Sequence, residues 1–344
     1  MRAAVLAGSW VTLLAGCRPE PVASAASVAP TVAPKAAAAD DAPPPAAAAA
    51  DPSPGRCVGD SARALSFLPA STPSVIELDL AAIVQLPVFV RHHAALIPRD
   101  LQPLLDAASE CGIGFDSWRM YTSSLGGPLD VRVLQAEGIG EPERLACIAA
   151  RLPTDGAWHY SLGTVDGRTR LALDDGDVAW VVDRCTLVAG TAGHDDELQR
   201  LVSGEARSML GVNALAGAWR RLPTVRQIAF VSHAVAVPAA PNPLSADLAI
   251  AIGLRRGLEL RATLEVGNPA DAERMAAELR REWDGAGPIA RSVGLPQAVV
   301  DSVDIRASAS MVQVDATATP AQLDEAIVGL VRTLGGGAMP TAGP

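Results

Sequence analysis

Apolar and polar positions alternate strictly over residues 258–266, with Leu258, Leu260, Ala262, Leu264 and Val266 on one phase and Glu259, Arg261, Thr263 and Glu265 on the other. A period of two predicts a strand with one wet face. Asn268 then stands where a helix cap belongs, Pro269 follows it, and Met275, Ala276, Leu279 and Trp283 fall on one side of the helix they predict. The same unit returns at Val312, Val314 and Ala316, followed by Thr319, Pro320 and Gln322 at capping-box spacing and a helix carrying Leu323, Ala326, Ile327, Leu330 and Leu334. A third copy runs from Val131 and Val133 through Glu141-Pro142 to Leu145, Ile148 and Leu152. Before it, residues 75–79 read as a strand and 81–111 as helical, broken at Pro87, Pro98 and Pro103. After it, the turn signals Asp166-Gly167 and Asp175-Gly176 predict a meander of strands over 158–165, 170–173, 178–182 and 186–189. The expected class is α+β, built as two similar modules, 57–207 and 208–334, each a mostly antiparallel sheet covered by helices on one face. Residues 335–344, opening on Gly335-Gly336-Gly337, read as a flexible tail.

Ahead of this body the pattern disappears. Residues 17–56 are dominated by Ala, Pro, Ser and Val, a composition that cannot bury a core. They read as a disordered, semi-rigid tether reaching on the order of 100 Å when extended. Residues 1–16 carry Arg2, a short apolar run and small residues, the form of an export signal. Leu14-Ala15-Gly16-Cys17 resembles the lipobox of bacterial lipoproteins. The resemblance implies cleavage before Cys17, thioether diacylation of that cysteine, and a membrane partner reached through its acyl chains. Arg18, where an aspartate favours inner-membrane retention in Gram-negative bacteria, argues by the same resemblance for the outer membrane, with the body in the periplasm or at the surface. The body itself is similar to uncharacterised two-module exported lipoproteins. Leu68-Pro69-Ala70 before residues 75–79, Cys111-Gly112 followed by Asp116, and the two late strand-to-helix units carry that likeness, which implies fold and location but no chemistry.

Composition narrows the function classes. The 344 residues hold 28 Lys+Arg against 38 Asp+Glu, a net charge of -10, and the positive charges are scattered, so no nucleic-acid partner is expected. Lys35 is the only lysine and lies in the tether, which excludes Schiff-base, P-loop and Ser-x-x-Lys chemistry from the body. Aromatic residues are only 3%, so stacking platforms are scarce and the core must be aliphatic.

Apart from Cys17, four cysteines remain: Cys57, Cys111, Cys147 and Cys185. An even number in an exported chain predicts disulfides, and three connectivities are open. Cys111 with Cys147 is favoured because both belong to helices flanking the first sheet, leaving Cys57 with Cys185. Zinc is disfavoured by the lack of any Cys-x-x-Cys spacing. Among the histidines, His92 and His93 are adjacent and point apart, while His159 and His233 lie in alternating strands and are the candidates for a general base. The run His194-Asp195-Asp196-Glu197 suits a helix N-terminus, and Asp174-Asp175-Gly176-Asp177 suits a turn rather than a calcium loop. No Gly-x-Ser-x-Gly, Gly-x-Gly-x-x-Gly or His-Glu-x-x-His motif is present. The expectation is therefore a non-catalytic, lipid-anchored envelope protein with no catalytic residue, metal or cofactor, serving a structural role or an unknown envelope protein partner. A carrier of a small apolar or lipid guest is the alternative, and a hydrolase using His159 or His233 the third reading.

Overall fold

The computed structural model describes residues 56–154, 158–211, 213–224, 226–237, 244–292 and 294–334. The signal, the lipobox and Cys17, the tether up to residue 55 and the tail expected at 335–344 lie outside the described residues.

Helix α1 (Ser61–Ser66) and strand β1 (Ser74–Leu78) are followed by helices α2 (Leu80–Ile83), α3 (Pro87–Leu96) and α4 (Gln102–Glu110). Strands β2 (Trp118–Leu125) and β3 (Val131–Ala136) lead into helix α5 (Pro142–Arg151) and a meander of β4 (Tyr160–Val165), β5 (Arg168–Leu173), β6 (Val178–Asp183) and β7 (Thr186–Gly190). Helices α6 (Asp195–Ser203) and α7 (Asn213–Arg221) precede β8 (Ile228–Val237), β9 (Leu244–Gly253) and β10 (Leu258–Glu265). Helix α8 (Pro269–Ser292), helix α9 (Gln297–Asp301), strands β11 (Asp304–Ser308) and β12 (Met311–Ala318), and helix α10 (Pro320–Leu334) complete the described residues.

Local chemistry accounts for these boundaries. Asn268 Oδ1 accepts the Asp271 amide at 2.9 Å, starting α8. At α10 the capping box closes in both directions: Gln322 N–H donates to Thr319 Oγ1 at 3.3 Å and Thr319 N–H donates to Gln322 Oε1 at 2.8 Å. The β4–β5 turn places Asp166 at φ 50° and Gly167 at φ 75°, as a two-residue type I′ hairpin requires. Helix α8 runs past Trp283 and through Pro288, further than its apolar stripe predicts, with Gly287 buried where an added Cβ would lie 3.4 Å from Val300 of α9.

The α+β class with an antiparallel sheet holds. All twelve strands form one sheet in the order β11-β12-β10-β9-β8-β1-β2-β3-β7-β6-β5-β4. Strand β1 hydrogen-bonds both β2 and β8, with Val75 opposite Val231 and Glu77 opposite Ala229, so the two halves of the chain share one ladder. From Cys57 onward the chain is accordingly a single unit.

The helices, expected on one face of each module, cover both faces. Strands β3, β6 and β7 are apolar on each side: Val131, Val133, Trp180 and Val188 point one way, Leu134, Ala136, Val181 and Leu187 the other. On the first face α1, α6 and α7 supply Leu65, Leu198, Leu201 and Leu215 to a core that crosses the β1–β8 junction and takes in Val231 and Ala249. On the second face α4 and α5 cover the meander with Ala107, Ala108, Leu145 and Ile148, while α8 covers β9 to β12 with Ala272, Met275 and Ala276.

Gly140 marks the tightest approach outside the sheet. A Cβ there would lie 1.9 Å from the Asp183 carbonyl oxygen, so the loop entering α5 touches the β6–β7 turn backbone to backbone. Gly140→Ala is expected to destabilise the fold by about 1–3 kcal/mol, as overpacking does, read as a lowered denaturation midpoint; an unchanged midpoint would contradict this contact.

Candidate functional site

The four body cysteines form two disulfides, Cys57–Cys185 with Cα atoms 5.7 Å apart and Cys111–Cys147 at 5.8 Å. The first ties the start of the fold to the β6–β7 turn across 128 residues, and the second ties the end of α4 to α5 across 36. Each removes freedom from the unfolded chain, worth about 2–4 kcal/mol when unstrained.

The histidines and acidic runs are spent on the architecture. His233 Nδ1 lies 2.6 Å from Asp247 Oδ1, and the same oxygen accepts the Ala234 amide at 3.2 Å. Ala234 sits at φ 53° where the β8–β9 register shifts, so Asp247 braces a bulge and His233 holds Asp247. His159 lies 3.1 Å from Asp174 at the end of the β4–β5 ladder. His92 Nε2 and Arg91 Nη1 both reach Asp324, at 3.2 and 2.7 Å, clasping α3 to α10. His93 faces the Val90 carbonyl, and His194 lies 3.6 Å from Glu197 across the first turn of α6. Asp195 reaches further than the helix dipole predicts: it accepts from Trp180 Nε1 at 3.0 Å and Arg170 Nε at 2.9 Å, pinning α6 to the sheet. Asp177 pairs with Arg132 at 3.1 Å and accepts the Ala192 amide at 3.0 Å, and Asp175 accepts the Asp177 amide, so this acidic turn is tied internally. Among the described residues no three His, Cys, Asp or Glu side chains are grouped to hold a metal ion. No described helix is long and apolar enough to cross a membrane.

One polar cluster is buried. Glu77, with 6% of its surface exposed, points from β1 into the first-face core, opposite Thr122 of β2. Arg226, in the connection from α7 to β8, reaches to 3.5 Å from Glu77 and stacks over Trp219 with 4.9 Å to the ring centroid. Glu77 Oε2, Thr122 Oγ1, Ser61 Oγ and Arg226 Nε have no hydrogen-bond partner. Loss of hydration pushes the Glu77 carboxyl above its ordinary value of 4.5; the Arg226 charge opposes the rise, and Asp79 adds to it. The cluster places a buried carboxyl beside the junction of the two halves. Its sequence signal is faint: in Val75-Ile76-Glu77-Leu78 the glutamate falls on the phase of the buried Val75, but nothing in the sequence marks Arg226 as its counterion.

Two further features lie at the surface. A cleft of about 450 Å³ between the β4–β5 hairpin and α6 is lined by Asp166, Arg168, Asp196, Gln199, Arg200 and Glu205, with charges of both signs. On the second face, Ile228, Phe230, Ile250, Ile252 and Leu260 lie in register across β8, β9 and β10, remain half-buried, and belong to none of the three cores. Helices α3 and α10 bury none of their described side chains.

The raised Glu77 value sets a pH dependence. An acid whose folded value exceeds its unfolded one favours the fold when protonated, and that contribution is lost as pH rises through the folded value. The stability of the native chain relative to Glu77→Gln is therefore expected to fall between acid pH and neutrality, measured by parallel denaturant titrations; a relative stability that rises with pH would contradict the burial account.

No protein-family model matches the chain, and no curated protein matches it. A solved structure described as "Structure of crystal form IV of TP0453" is 11% identical, with a TM-score of 0.45, over 76% of this chain and 95% of that one.

Proposed function

We propose that the chain is an exported lipoprotein, anchored through acyl chains on Cys17 and acting in the cell envelope by interaction rather than catalysis. The observation that carries this reading is the cysteine balance. Of five cysteines, four are consumed in disulfides, bonds that persist in oxidising compartments, and the fifth is the one in Leu14-Ala15-Gly16-Cys17. Arg18 favours the outer membrane. The non-catalytic part is supported by how the reactive side chains are used: the two general-base candidates, His159 and His233, each face a carboxylate that closes a hairpin or braces a bulge.

A second reading has its own support. The half-buried strip from Ile228 to Leu260 is an apolar surface outside the cores, the kind of surface on which a carrier would seat an apolar guest.

Mass spectrometry of the full chain expressed with its signal tests both. Under denaturing, non-reducing conditions, the chain is expected to begin at acylated Cys17 and to be lighter by four hydrogens than its reduced form. Cys17→Ser is expected to abolish the acyl mass and release the protein from membranes. An unmodified Cys17 would overturn the anchor. Excess mass present only under native conditions would move the account to the carrier.

A further inference from the structure

The two edges of the sheet are finished differently. At one end, β11 pairs with β12 through a hairpin flanked by Ser308 and Met311, so Arg306 and Asp304 point their backbone groups inward and Ile305 and Ala307 point theirs outward. The outward Ile305 carbonyl accepts a hydrogen bond from Arg280 Nε of α8 at 2.7 Å, and Asp304 and Arg306 place charge along the strand. That edge is blocked.

At the other end, β4 has no such guard. Val165 and Arg168 flank the two-residue turn and form its hydrogen-bonded pair, which makes Gly163 with Arg170 and Ser161 with Ala172 the next such pairs. The Asp174 amide donating to the His159 carbonyl continues the same phase. Tyr160, Leu162 and Thr164 therefore aim their backbone N–H and C=O groups away from the sheet, and no described residue pairs with them. Residues 160–165 carry no charge and no proline, the usual means of keeping an edge from pairing. The strand is also firmly held. The Tyr160 hydroxyl donates to the Leu145 carbonyl of α5 at 2.8 Å, and Leu162 packs at the margin of the second-face core. A built Cβ at Gly163 would meet nothing within 4 Å, so the opposite face is open at that position.

We propose that β4 is a docking edge for β4 of a second copy of this chain, joining two sheets antiparallel about a two-fold axis at Leu162. The strand is complementary to itself. Leu162 meets Leu162 of the second copy and exchanges two backbone hydrogen bonds, Tyr160 lies opposite Thr164 of the second copy, and no like charges meet. The apolar faces of the two edges fall on the same side, extending the surface that Tyr160 and Leu162 already share with α5. This deepens the interaction role proposed above and rests on it, while its test uses chain without acylation so that the two fail separately.

The full chain carrying Cys17→Ser is followed by sedimentation equilibrium and by amide hydrogen exchange as concentration rises. The expected result is a doubling of mass, with the Leu162 and Thr164 amides slowing as the dimer forms. Thr164→Pro removes an outward N–H without touching the β4–β5 ladder, and is expected to abolish the dimer at unchanged melting temperature, whereas Thr164→Ala keeps it. A chain that stays monomeric with freely exchanging edge amides, a dimer that leaves those amides unprotected, or a dimer that survives Thr164→Pro would overturn the proposal. The exchange readout on the otherwise native chain decides even where the proline variant misfolds.

Discussion

Everything in the body depends on the pairing of β1 with β8. Five residue pairs, from Ser74 with Ser232 to Leu78 with Ile228, turn two stretches of antiparallel sheet into one. A shared ladder has a cost on each face, because its central strands are then buried on both sides and every backbone group must find a partner. The ladders to β2 and β8 meet this demand for β1, and the core beneath α1, α6 and α7 covers the seam by running continuously from Val133 across Val75 to Val231 and Ala249. The buried Glu77 and Arg226 stand beside the same seam, an ion pair with unmet hydrogen-bonding capacity that a fully apolar junction would not contain.

The covalent and electrostatic ties are distributed around that seam. Both disulfides lie before residue 186 and brace the first half alone. The second half is bound to the first by the ladder, by the common core and by the clasp of Arg91 and His92 on Asp324, which returns α10 to α3. The sheet is thus continuous at its centre, guarded at β11 by Arg280 and, among the described residues, unpaired at the outer side of β4.

Local pattern revealed elements, and topology did not follow from it. The strand-to-helix units at 258–283 and 312–334 were legible because period-two strands and capped helices leave short-range marks, and the Asp166-Gly167 turn identified its hairpin. Strand β8 was read only through the stretch that holds His233 and β9 was not read as a strand, since residues 228–231 and 248–252 are apolar on both phases and lose the alternation that betrays a strand. Strand β2 escaped notice because Tyr121, Thr122, Ser123 and Ser124 carry no apolar alternation, although three of them are buried. Two-sided helical cover, where cover on one face was expected, left its mark in β3, where Val133 and Leu134 are adjacent and both apolar. The Arg226–Glu77 pair and the Asp247 brace were hidden for another reason: they join residues that only the fold brings together.

Calorimetric unfolding of the full chain carrying Cys17→Ser, with its disulfides intact, tests most directly whether the two halves are one body. The account predicts a single transition whose calorimetric and van't Hoff enthalpies agree, because the halves share β1–β8 and the core beneath it. Two resolved transitions, or a van't Hoff enthalpy well below the calorimetric one, would show that the halves melt separately and would contradict it.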